Sequence, residues 1–213
     1  MLSHRPLRNH AGLVLIGDYG TLRLLHEIVH DVNERSPLVR DKEDPFLLMA
    51  YEVRKAYEGQ REVIQPPEHF EEIGIRYGGP FLWPVLLLQH RILRGSLAWI
   101  DHGKKHQAIV YALEAVIEEA IAGDFGTRGP AVVEAWRRLD PTHPDVCNRL
   151  HTRGALFCSW TKAERRRLLP DLLNSFDPLF DMRSVAFPAD GRGGLSPSDF
   201  AVWDGYEWPD PRM

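Results

Sequence analysis

The chain has 213 residues, 44% of them hydrophobic and 26% charged, and a formal net charge of −4. That is enough for one large domain with a real core, and the composition excludes wholesale disorder. The acidic balance argues against a broad basic footprint for nucleic acid, and two cysteines, Cys147 and Cys158, do not make a disulfide scaffold.

Residues 1–10 carry His4, Arg5 and Arg8 but no apolar stretch of signal-peptide length. Leu13-Val14-Leu15-Ile16 is too short for a helix and reads as a buried strand ended by Gly17. Asp18 is placed to cap a helix over 19–33. A charged loop interrupted by Pro37 leads to a second helix over 44–58, with Asp44 as cap, Pro45 at its first position and Gly59 closing it. Residues 61–65 alternate as a strand, Pro66-Pro67 breaks it, and 73–77 is a third strand ending at Gly78-Gly79-Pro80.

Two long helices follow, 85–100 and 105–122, joined by a turn at Gly103 and so expected as an antiparallel hairpin. The most apolar segment, 81–100, contains His90, Arg91 and Arg94, which marks a buried helix and not a membrane span. Trp83 and Trp99 are both expected in its core. Shorter helices are expected over 130–139, 144–151 and 162–175, the last distorted by Pro170. The reading is an α+β, mostly helical fold: a small sheet with two helices inserted after its first strand, then a helical bundle. Residues 1–182 form one globular domain and 183–213 an irregular C-terminal arm. With few cysteines and no leader or span, a reduced cytoplasmic setting is expected.

One pentapeptide comes close to named chemistry. His26-Glu27-Ile28-Val29-His30 is an HExxH within the first helix, the spacing by which a zinc hydrolase points two imidazoles and a general base from one helical face. Leu22, Leu24, Leu25, Ile28, Val29 and Val32 fill one side of that helix, and Arg23, His26, Glu27, His30 and Asp31 the other. A catalytic helix needs this, and an ordinary surface helix shows it too. Asn33 and Ser36 stand where a metzincin would continue with glycine and histidine. Glu52 has about the separation of a gluzincin's third ligand, yet it falls off the inward stripe of Phe46, Met49, Ala50, Val53 and Tyr57, beside Lys55. The catalytic set His26, Glu27, His30, with His26, His30 and Glu52 as zinc ligands, is therefore the alternative reading. The leading one has no cofactor.

Gly17-Asp18-Tyr19 after a strand, the stretch from Tyr51 to Glu62 (YEVRKAYEGQRE) and Leu82-Trp83-Pro84 opening a long helix carry a resemblance. In them the chain resembles an uncharacterised bacterial domain family of unknown function, over about residues 9–180. The resemblance implies no established activity or ligand. It also implies that a histidine at position 30 recurs while one at 26 does not, which would make the HExxH a local accident. Physically, Arg54 could anchor the second helix to the following strand, with Gly59 as its left-handed cap.

Other clusters weigh less. His143, Cys147, His151 and Cys158 carry metal-friendly atoms, but helical positions eight apart are separated by about 12 Å. Their spacing fits no zinc pattern, and His102 and His106 sit on a turn. Arg165-Arg166-Arg167 near Lys162 reads as a solvated helix face, with nucleic acid disfavoured. The arm holds Phe200, Trp203, Tyr206 and Trp208 among Asp199, Asp204, Glu207 and Asp210. Four aromatics are costly to leave in water and too few for a core, so they suggest docking into a groove, on the same chain or on a partner. A non-enzymatic interaction or assembly module, with a protein partner or a second copy, is the leading reading. The alternatives are the zinc-dependent hydrolase, and an enzyme or nucleic-acid binder whose site has no sequence signature.

Overall fold

The computed structural model describes residues 1–42, 45–69, 71–182 and 194–213. The expected cap Asp44 and the expected domain boundary at 183 lie outside them. Four strands, β1 (Ser3–Pro6), β2 (Gly12–Gly17), β3 (Glu62–Ile64) and β4 (Arg76–Leu82), form an antiparallel sheet in the order β1-β2-β4-β3. Between β2 and β3 come α1 (Tyr19–Arg35) and α2 (Leu48–Tyr57), which pack on each other. After β4 follow α3 (Trp83–Ser96), α4 (Lys104–Phe125), α5 (Gly129–Arg138), α6 (Val146–Ser159), α7 (Lys162–Asn174) and the short α8 (Pro197–Ala201). This is the expected mostly helical α+β fold. Among the described residues, no helix is long and apolar enough to cross a membrane.

Local chemistry sets these elements. The apolar run of β2 is the buried centre of the sheet. Asp18 then caps α1, accepting from the Thr21 amide at 2.8 Å and the Thr21 hydroxyl at 2.7 Å. The amino terminus lies 2.6 Å from the same carboxylate. Burial pushes the Asp18 carboxyl up, but these partners outweigh it and hold it well below the usual carboxylate range. Leu22, Leu25, Ile28, Val29 and Val32 keep the helical period and are buried. Met49, Ala50, Val53 and Ala56 do the same on α2, which Gly59 ends with φ 76.

Several expectations need correcting. The strand placed at 73–77 runs instead from Arg76 to Leu82, through Gly78-Gly79-Pro80. Proline is tolerated there because β3 pairs only as far as Gly78, so beyond it β4 has a ladder neighbour on one side alone. Glycine is useful because α2 lies close: a Cβ at Gly79 would stand 3.4 Å from the Glu52 carbonyl. The sheet also has a strand before the one expected to be first, since β1 pairs Ser3–Pro6 with Leu13–Ile16. Helix α2 begins at Leu48, three residues beyond Pro45.

The helical hairpin is antiparallel. Trp83, at the start of α3, donates to Asp124 near the end of α4 at 3.0 Å, and Arg94, near the end of α3, reaches Glu114 at 3.2 Å. Trp83 is fully buried, but Trp99 is 61% exposed. Helix α3 stops at Ser96, so the turn that follows directs Leu97 and Ile100 inward and Trp99 out. Helix α6 runs well past His151, and α7 passes through Pro170.

Candidate functional site

The HExxH lies on the polar flank of α1, as its periodicity requires. The His26 and His30 rings meet edge to face with centroids 4.5 Å apart, and Tyr57 of α2 stands against His26 at 5.7 Å. Partial burial, with His30 and Arg54 close by, pushes the His26 imidazole below its ordinary pKa. Glu27 turns away from the pair to Arg23, at 2.9 Å on exposed surface. Glu52 is engaged by Arg61 at 2.9 Å to each carboxylate oxygen and by Lys55 at 3.1 Å. Burial raises its pKa, yet these cations hold it below the ordinary value. The structure thus brings His26 and His30 together and gives Glu27 and Glu52 other partners. Among the described residues, no three His, Cys, Asp or Glu side chains are grouped to hold a metal ion. That covers the 143–158 cluster too, whose Cys158 thiol burial pushes up to about 11.

The C-terminal arm is the second candidate, and its two ends are fixed. At one end α8, opened by a Ser196–Asp199 capping box, delivers Phe200 to a buried position. There its ring lies 5.8 Å from Phe180, with the Arg153 guanidinium 4.2 Å from its centroid. At the other end the Trp208 indole sits on Gly154 of α6, where a Cβ would stand 2.1 Å from two ring carbons. Beyond it, Arg165 donates to the Pro211 carbonyl, and the Asn9 side chain donates to the Arg212 carbonyl at 2.9 Å. Between these ends the chain turns outward at Gly205. Val202 is 67% and Tyr206 63% exposed, Trp203 is half-buried, and Asp204 and Glu207 face solvent. Of the four arm aromatics, Phe200 and Trp208 therefore pack on their own chain, while Trp203 and Tyr206 pair with each other at 6.5 Å.

Arg165 corrects the reading of 165–167 as a solvated face. It is 1% exposed, and its guanidinium donates to the carbonyls of Phe157, Cys158, Pro211 and Asn9. Arg153 is buried likewise, donating to the Ser175 hydroxyl and carbonyl at 3.1 and 2.9 Å. Burial lowers both guanidinium pKa values, that of Arg153 to about 10. The seat of the arm, Arg153, Gly154 and Arg165, was missed from sequence although a signal existed. Arg153 shares the apolar stripe of Leu150 and Phe157, and Arg165 that of Leu168, Leu169 and Leu172.

The family model of a domain of unknown function, DUF6904, matches residues 2–178, a span that ends before the arm. No curated protein and no solved structure matches the chain. A match over most of the sequence places the assignment beyond the few motifs that first suggested it, and the chain belongs to the DUF6904 family, a domain of unknown function.

Proposed function

We propose that the chain is a non-enzymatic assembly module in which the turn at 202–207 binds a second copy of the protein. One observation carries the reading. The turn is fastened at both ends, by Phe200 and by Trp208 on Gly154, yet it presents Val202 and Tyr206 outward. A tail that had only folded back would bury such side chains, and apolar surface held outward by two anchors is surface for a partner.

The same chain offers a receptor of suitable chemistry. A groove of about 640 Å³ between α4 and α5 has Ala122, Pro130 and Val133 in its lining and Arg137 and Arg138 beside them. Those arginines pair with Glu118 and Glu134 on exposed surface, where an ion pair contributes little, so exchange for Asp204 or Glu207 of another copy costs little. A contact between two different surfaces of one chain is head-to-tail and generates rings or filaments.

The test is solution mass by light scattering across a concentration series. The wild type is expected to grow beyond the monomer. Trp203→Ala with Tyr206→Ala, and separately Ala122→Glu on the exposed wall of the groove, are expected to return it to the monomer without lowering Tm. A wild type that stays monomeric throughout would sink the proposal.

A further inference from the structure

Away from the arm's turn, the fold assembles four cations around one histidine. A cavity of about 440 Å³ is lined by His10, Arg128, Lys162, Ala163, Arg166 and Arg167. They come from the β1–β2 connection, the link between α4 and α5, and the first turns of α7. In a chain of net charge −4, that concentration of positive charge is local to this wall.

The histidine is built in. His10 Nδ1 lies 2.8 Å from Asp124 Oδ1, and the two side chains are only 11% and 9% exposed. The other Asp124 oxygen accepts from the Trp83 indole at 3.0 Å, and the His10 ring packs on Phe125 at 5.5 Å. A carboxylate can only accept, so Nδ1 carries the hydrogen of this bond. Nε2 is then the nitrogen left for whatever enters the cavity that the ring lines.

The backbone holds His10 at a cost. Asn9 and His10 are consecutive non-glycine residues in the left-handed region, with φ 58 and 53. Such conformations persist where surrounding contacts impose them and tend to mark functional positions. Here Arg165 donates to the Asn9 carbonyl while the Asn9 side chain holds the Arg212 carbonyl, so the arm's last residues clasp the loop that aims the imidazole.

Two carboxylates border the cations. Glu164 is occupied by the amide and hydroxyl of Thr161 in the α7 capping box, with Arg167 holding its pKa down further. Asp171 is pushed up by burial despite Arg167 and Arg128. Neither pairs with Lys162 or Arg166, which make no ion pair among the described residues. A compact dianion fits these cations, and a cavity of this size suits a small ligand. The lining offers no stack of aromatic faces such as successive bases need, which favours a small ligand over a nucleic-acid strand.

We propose that this cavity binds the phosphate group of a small molecule, free or as a monoester. Arg128, Lys162, Arg166 and Arg167 neutralise it, and His10, which on binding carries a hydrogen on Nε2 as well as on the Nδ1 held by Asp124, donates from Nε2 to one of its oxygens. Asp124 is a positioning residue in this arrangement.

The test is calorimetric titration of the full chain in phosphate-free buffer with inorganic phosphate and with O-phosphoserine, alongside nitrogen NMR of the His10 ring. The expected result is saturable one-to-one binding that moves the Nε2 resonance. Lys162→Ala with Arg166→Ala should weaken it at least tenfold while Tm in ligand-free buffer is unchanged. Tighter binding of phosphoserine identifies an ester as the source, and tighter binding of inorganic phosphate the free anion. Absence of saturable heat and of any His10 shift with both probes overturns the proposal, as does equal binding by the double variant. Both of those results can be read even if Asp124→Asn, the variant that would release the ring, fails to fold.

Discussion

The α1–α2–β3 region and the α3–α6–α7 interior treat charge in opposite ways. In the first, cations and carboxylates pair with one another near solvent: Arg23 with Glu27, Arg35 with Asp31, and Arg61 and Lys55 with Glu52. In the second, titratable groups sit inside the core. Arg153 and Arg165 have no carboxylate in hydrogen-bond contact among the described residues and are satisfied by carbonyls, hydroxyls and aromatic faces. His90 is 1% exposed, its nitrogens make no hydrogen bond of ordinary geometry among the described residues, and Glu114 stands 3.9 Å from Nε2. Surface pairs tolerate change because water replaces a lost partner. Buried groups do not, so the energetic weight of this protein's charges lies in the half where they were least expected.

The sharpest break in that comparison comes from two arginines. Arg165→Ala empties a buried site and leaves the Phe157 and Cys158 carbonyls without their donor. We expect a loss of about 3 kcal/mol, read as a lower urea midpoint, together with release of the arm. Arg61→Ala removes a bidentate ion pair near the surface and should cost less than about 1 kcal/mol. Equal losses would end the distinction.

His90 gives the next largest effect, and it depends on pH. Burial first, against an opposing pull from the Val110 backbone and with Arg91 and Arg94 nearby, lowers its pKa from 6.5 to about 3, so the folded state holds it neutral. Well above pH 6.5 neither folded nor unfolded chain protonates it, and it costs nothing. Below 6.5 the unfolded chain takes up a proton that the folded chain refuses, so stability falls with falling pH and levels off near 3. Between pH 7 and pH 5 this amounts to about 2 kcal/mol. Denaturant titrations of wild type and His90→Leu should differ in slope over that interval, and parallel profiles would show that His90 is not the source.

What could be read from sequence follows the same division. Helix α1 was legible because Leu22, Leu25, Ile28, Val29 and Val32 repeat at the helical period, and β2 because an apolar run too short for a helix stops at a glycine. Strand β1 was not, since Ser3-His4-Arg5-Pro6 has no alternation and is a strand only through its partner. The end of α3 was misjudged because Trp99 looks like core until the helix is seen to stop at Ser96. At the sites, the arm's aromatics were visible, but their seat depends on the missing side chain of Gly154 and on two arginines within apolar stripes. His10 and Asp124 lie 114 residues apart and share no local pattern, so only the fold joins them.

The smallest expected effect belongs to the most conspicuous motif. His26 and His30 touch each other and His26 also meets Tyr57, so changing both to alanine removes some ring packing from a half-buried flank. No third metal-binding side chain joins them among the described residues, and Glu27 is held by Arg23. The double variant should therefore lose less than about 1 kcal/mol in denaturant titration and contain the same zinc per chain as wild type by elemental analysis. Glu27→Gln should change neither, because it breaks only an exposed pair spaced four residues apart on α1. A wild type that carries stoichiometric zinc and a double variant that has lost it would reverse the order. The motif would then be the protein's strongest site, and the solvent-facing region, not the interior, would carry the greater energetic weight.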